Sequence, residues 1–130
     1  VIQRYFEQIR TCVDAYSAAD LVVSASVNCE VRPGLQGYLS GAVIFADGSI
    51  LHFAEFLDEA HGQVEKLMYT YHYQDANHQL LFRYDNARHR PALPMREHKH
   101  TPDGVINAPA PLLAEVLAEI MSYQETLLFR

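Results

Sequence analysis

Gln36 to Leu57 reads QGYLSGAVIFADGSILHFAEFL, two runs rich in β-branched and aromatic residues on either side of Asp47-Gly48. An Asp-Gly pair between such runs is a strong hairpin signal, because both residues tolerate the left-handed backbone of a tight turn. Centring the turn on that pair sets Phe45 opposite Ile50, Val43 opposite His52 and Leu39 opposite Phe56. On the other side Ile44 meets Leu51 and Ala42 meets Phe53, so both faces are apolar and Glu55 is the polar exception on its own. Such a hairpin needs helices on both sides, or it gives one face to a subunit interface such as a homodimer's. His52, on an apolar face, reads as a satisfied core or edge histidine rather than a ligand.

The chain on either side extends the same sheet. Leu21 to Arg32 alternates, with Leu21, Val23, Ala25, Val27, Cys29 and Val31 against more polar neighbours, which is the period of a half-buried strand. Pro33-Gly34 then turns the chain. Asp58 to Gln63 reads as a polar loop. Val64 to Gln74 and Leu80 to Asp85 make a second hairpin through Asp75-Ala76-Asn77-His78, with His78 where glycine is expected. Tyr69, Tyr71 and Tyr73 share one face with Phe82 and Tyr84 and read as core, with a stacking platform as the alternative. The opposite face collects Thr70, His72, Arg83 and Asp85.

Helical spacing appears only at the two ends. Ile2, Tyr5, Phe6, Ile9, Val13 and Tyr16 form one apolar stripe, and Leu112, Leu113, Val116, Leu117, Ile120, Tyr123 and Leu127 form another, opened by Pro111 in its first turn. Between Asn86 and Pro111 five prolines (Pro91, Pro94, Pro102, Pro109, Pro111) predict a long irregular loop. The expected fold is therefore a single α+β domain over residues 1–130, a five-stranded antiparallel β-meander with N- and C-terminal helices packed on the sheet.

Composition excludes several classes. At 130 residues one core suffices without metal or disulfide staples, and no apolar run approaches the ~18 residues of a membrane span. No signal peptide opens the chain, and Val1 in place of Met points to a trimmed or processed start. Cys12 and Cys29 match no metal spacing and read as buried free thiols, which suits a reducing cytoplasm. The net charge of −6 argues against a general nucleic-acid coat protein, but Arg83 to His100 carries +3 and leaves −9 elsewhere.

Candidate chemistry concentrates between Tyr69 and His100, which hold five of the seven histidines. Two imidazoles titrating near ~6.5 supply one base and one acid at neutral pH. His72 and His100 are the acid/base candidates, Arg83 the phosphate anchor, and Asp85 the carboxylate that orients a histidine. Asn86, His89, His98, Lys99 and Arg88 are expected to assist or bind substrate. That set suits RNA cleavage by 2′-hydroxyl attack and needs neither cofactor nor metal. Two alternatives stand beside it. His98 and His100, spaced i, i+2, would point to one side of an extended chain and could bind zinc with His72, His89 or Asp85. The basic loop could instead dock a partner protein without catalysis, or Arg83 could simply pair with Asp85 or Glu97.

The motifs Tyr71-His72-Tyr73-Gln74-Asp75, Phe82-Arg83-Tyr84-Asp85-Asn86-Ala87 with His89, and His98-Lys99-His100 resemble the TumE-type toxin family of bacterial type II toxin–antitoxin pairs. The Asp47-Gly48 hairpin and the helix through Val116 to Ile120 fit it as well. Arg88 stands where a proline is more usual, and His78 where a turn glycine is. The resemblance implies a small cytoplasmic toxin neutralised by a helix-turn-helix antitoxin, and it assigns no reaction.

Overall fold

A computed structural model describes residues 1–87 and 96–128. Helix α1 (Ile2–Ser17) opens the chain and helix α2 (Leu113–Leu128) closes it. Between them run seven strands: β1 (Val22–Arg32), β2 (Gln36–Phe45), β3 (Ile50–Ala60), β4 (Gln63–Gln74), β5 (Leu80–Asp85), β6 (His98–Thr101) and β7 (Gly104–Asn107). They form one antiparallel sheet in sequence order. The α+β meander with terminal helices is as expected, but the sheet has seven strands, not five. The two additional strands lie in the segment read as an irregular loop. The prolines misled because Pro102 falls in the β6–β7 turn, where its missing N–H costs no ladder bond, and Pro109 and Pro111 follow β7.

Both helices cover one face of the sheet. Ile2, Phe6, Ile9 and Val13 from α1 and Leu113, Val116, Leu117 and Ile120 from α2 meet Leu39, Val43, Leu51, Phe53, Leu57, Tyr71, Tyr73 and Phe82. The tyrosine stripe is thus core: Tyr71 and Tyr73 are no more than 1% exposed, which removes them as a stacking platform. Gly41 pairs with Phe53, whose ring lies so close that a Cβ on Gly41 would come within 2.4 Å of it and within 2.2 Å of the Ser26 carbonyl oxygen. Cys12 and Cys29 are free and half-buried rather than fully enclosed, and burial pushes both thiols up.

The turns correct the hairpin register by one residue. Phe45 and Ser49 close a three-residue loop in which Gly48 alone is left-handed, at φ +86°. Ala42, not Val43, is therefore opposite His52, and Leu39 is opposite Glu55. A one-residue slip exchanges the faces, so His52 is exposed on the outer face rather than set among apolar partners. The second hairpin repeats the geometry with His78 in the left-handed position, at φ +65°, and Asp75 accepting from the amides of Asn77 and Gln79. Asp58–Gln63 is not a loop either: β3 and β4 continue to a two-residue turn at His61-Gly62, both at positive φ.

A β-bulge in β4 decides what faces the core. Phe56 pairs with Met68 but Leu57 with Lys66, so Leu67 is the extra residue and the alternation reverses there. Lys66 consequently turns inward, with its ammonium 3.7 Å from the fully buried Glu55 carboxylate and 2.8 Å from the Pro111 carbonyl. The Tyr71 and Tyr5 hydroxyls also donate to Glu55. Burial holds Lys66 below the usual lysine range in spite of Glu55. At the far end of the core, Gln124 donates to Asp47, Ser49 and Tyr73 and ties α2 to the β2–β3 turn.

Two stability measurements test this packing. Gly41→Ala overpacks the site against backbone and ring, and should lower unfolding free energy by about 1–3 kcal/mol in urea titrations. Lys66→Met strands the Glu55 carboxylate without its cation and should cost about 3–5 kcal/mol. A Lys66→Met protein as stable as the parent would mean that the tyrosine hydroxyls alone hold Glu55.

Candidate functional site

The face of the sheet opposite the helices carries the polar cluster. Cross-strand partners in an antiparallel sheet point the same way, so the register reads off the arrangement directly. One row runs His52 (β3), His72 (β4), Arg83 (β5), His100 (β6) and Val105 (β7); the next runs Ala54, Thr70, Asp85, His98 and Asn107. His98 and His100 therefore sit on a paired strand rather than on a mobile loop. Five of the residues expected in the site, His72, Arg83, Asp85, His98 and His100, come together on three adjacent strands.

Asp85 is the hub. It is 2% exposed, and Arg83 Nε donates to its Oδ2 at 2.9 Å. His98 Nδ1 lies 3.1 Å from Oδ1 and His100 Nε2 3.5 Å from the same oxygen. The carboxylate can only accept, so His98 donates from Nδ1 and keeps Nε2 for another partner. Burial alone would raise the Asp85 carboxyl, but the His98 hydrogen bond, the His100 charge and Arg83 outweigh it and hold Asp85 below the usual carboxylate range. His72 is lowered too, by burial first and then by the Arg83 charge, which for a histidine favours the neutral ring. Its buried Nδ1 has no hydrogen-bond partner among the described residues.

The ligand atoms of Asp85, His98 and His100 all lie within 4.8 Å of one another. One carboxylate oxygen and two imidazole nitrogens are a donor set that suits a divalent transition metal. Of the metal partners weighed from sequence, Asp85 joins the His98–His100 pair, whereas His72 is two strands away in the row from His100.

Other expected site residues lie elsewhere. Lys99 points to the helix side, where its ammonium pairs with Glu119 at 2.8 Å and lies over the rings of Phe82 and Tyr84. Its alternation with His98 and His100 already implied that. Asn86 bonds the bulge, accepting from the Tyr69 amide at 3.1 Å and donating to the Leu67 carbonyl at 2.9 Å. Arg88 and His89 lie outside the described residues.

Sequence reasoning overlooked a depression of about 330 Å³ on the same face, lined by Arg32, Tyr38, Ala54, Phe56, Met68, Thr70, Arg83 and Asp85 among others. The missed signal was the run Tyr38, Ser40, Ala42 in β2, which reads as an outer face once the turn is given its third residue.

With this geometry in place, comparison with known families is decisive. The family model described as toxin TumE matches residues 10–124. The chain belongs to the TumE toxin family. No curated protein and no solved structure matches it significantly. Membership makes the chain a toxin component and implies an antitoxin partner in general. Among the described residues no helix is long and apolar enough to cross a membrane.

The Asp85 hub predicts a pH dependence of stability. Its folded pKa is depressed, so its contribution is complete above the unfolded value near ~3.9 and is lost as pH falls through the folded value. The urea midpoint should drop on acidification below about pH 4, and Asp85→Asn should flatten that drop. An unchanged acid slope in the variant would show that other carboxylates account for it.

Proposed function

We propose that this TumE-family toxin cleaves RNA, with His72 and His100 exchanging proton-transfer roles across a phosphate held by Arg83. The observation that carries the reading is the cross-strand row His72–Arg83–His100. Neighbouring strands are ~4.8 Å apart, so the two histidines stand roughly 10 Å apart at the backbone with Arg83 on the strand between them. That spacing leaves room for a phosphate flanked by a base on one side and an acid on the other.

In the proposed step His72 takes the proton of a ribose 2′-hydroxyl, and that oxygen attacks the adjacent phosphorus. The 5′ oxygen leaves with a proton from His100, giving a 2′,3′-cyclic phosphate and a free 5′-hydroxyl. His72 suits the base role because burial and Arg83 favour its neutral form at neutral pH. Arg83 balances the charge that grows on the phosphate oxygens. Asp85 is a positioning residue, holding the ring orientation of His98 and the placement of His100. We assign the neutralising partner to the helix-turn-helix class and the site of action to the cytoplasm, as the family resemblance implies.

The clustering of Asp85, His98 and His100 favours one second reading, hydrolysis assisted by a bound divalent metal.

A labelled-RNA cleavage assay separates the two. His72→Ala and His100→Ala, each folded by circular dichroism, should lower the cleavage rate by about 10²–10⁴ without sensitivity to chelator. The rate should fall on acidification with an apparent pKa below the ordinary histidine value near ~6.5, and His72→Ala should remove that limb. A folded double variant that cleaves like the parent sinks the reading. Chelator-sensitive cleavage restored by added zinc moves the metal reading to the front.

A further inference from the structure

The outer-face depression has the makings of a second binding element. Tyr38, Phe56 and Met68 are consecutive cross-strand partners and form one wall. The Arg32 guanidinium carbon sits 4.8 Å from the Tyr38 ring centroid and 5.8 Å from that of Phe56. Between this wall and the histidine row lies a row of small side chains, Ser40, Ala54 and Thr70, which forms a floor running directly to Asp85. The volume of about 330 Å³ falls in the range of small-ligand sites.

We infer that this depression is a nucleobase-binding subsite for single-stranded RNA, with the base stacked against Tyr38 and Phe56 and read by Arg32 and Thr70. The inference rests on the reading of RNA as substrate. Two polar atoms point to a ligand with hydrogen-bonding edges. Arg32 Nε and Thr70 Oγ1 are both buried and have no hydrogen-bond partner among the described residues. An apolar side chain of a partner protein would leave them unsatisfied as they are, whereas a base edge offers both acceptors and donors once these side chains turn toward it. Aromatic faces accept any base by stacking, and a guanidinium adds a cation–π contribution. Arg32 pairs with Glu30 at 3.4 Å in an exposed, solvent-screened contact, which leaves its charge able to meet an RNA strand.

The spacing sets which base is bound. Phe56 and His52 are four residues apart on β3, so the aromatic wall lies roughly 13 Å along the strands from the row of His72 and Arg83. The base in the depression therefore belongs to a nucleotide flanking the reacting phosphate. This subsite would position the strand and bias cleavage by the identity of that neighbour.

The test separates binding from cleavage by using 2′-O-methyl RNA of about six nucleotides, which cannot undergo 2′-hydroxyl attack, beside an abasic strand of the same length. Fluorescence anisotropy with the full chain should show the base-bearing strand binding about tenfold or more tightly. Tyr38→Ala, and Arg32→Lys, which keeps the charge but loses the planar fork, should each remove most of that gap while leaving abasic affinity within about twofold. Phe56→Leu keeps the wall apolar and should weaken base-dependent binding without unfolding the protein. Equal affinity for both strands in the parent protein, or a gap that survives all three folded variants, overturns the inference. Unchanged RNA affinity with lost affinity for the antitoxin also overturns it and gives the depression to the protein partner. Base-dependent binding without cleavage of unmodified RNA refutes the ribonuclease reading and leaves the subsite standing. Cleavage without base dependence does the reverse.

Discussion

One extra residue in β4, Leu67, determines how the two sides of the sheet are furnished. Before the bulge the strand sends Lys66 into the core toward Glu55; after it the same parity sends Thr70 and His72 to the outer face. A regular strand would put Lys66, Thr70 and His72 on one side, leaving Glu55 buried without a cation or driving His72 inward. The bulge therefore reconciles a charged core contact with a polar outer cluster. Asn86 clamps it, and Asn86 directly follows Asp85, so the residue that fixes the bulge also anchors the end of β5 on which the hub sits.

The distribution of polar groups follows from where the helices are. The inner face has to fill volume under α1 and α2, and two polar groups there are satisfied, Glu55 with Tyr5, Tyr71 and Lys66, and Gln124 with Asp47, Ser49 and Tyr73, whereas the buried Tyr69 hydroxyl has no hydrogen-bond partner among the described residues. The outer face lies opposite both helices, and there the strands carry histidines, Arg83 and small residues, with Tyr38, Phe56 and Met68 grouped at one end. A protein that needed only stability could place alternating polar residues there in any order. The orderly rows, with aromatics and Arg32 at one end and imidazoles and Arg83 at the other, are what make the face a candidate for recognition rather than a solvated surface.

Much of this was legible in the sequence, because periodicity is a local signal. Both helices, the core tyrosines and the common face of Thr70, His72, Arg83 and Asp85 follow from spacing alone, whereas the alternation expected of β1 fails where a register shift between Val22 and Ser24 leaves Val23 exposed, and Val31 is exposed as well. The errors share one cause: turn geometry decides register, and register decides partners. Reading Asp47-Gly48 as a two-residue turn rather than as part of a three-residue loop moved His52 to the wrong partner and hid the outer role of Tyr38 and Phe56. Reading His61-Gly62 as part of a longer loop and the prolines after Asn86 as breakers shortened the strands and omitted two. The inward turn of Lys66 had no sequence signal, since a bulge is set by the contacts of the whole sheet; the lone Glu55 in an apolar strand was its only trace.

Charge completes the argument for an anionic ligand. The molecule as a whole carries −6, yet one carboxylate, Asp85, faces one guanidinium and two imidazoles. Arg83 and Asp85 offset one another in this group, beside the imidazoles of His98 and His100. Burial first, and then the Arg83 charge, lowers His72 in the neighbouring row. A phosphate arriving beside Arg83 would offset the guanidinium charge and make protonation of His72 less costly. In the proposed reaction, proton uptake by His72 and phosphate binding would therefore be coupled, as a pair of histidines needs if it is to exchange acid and base roles across a phosphate.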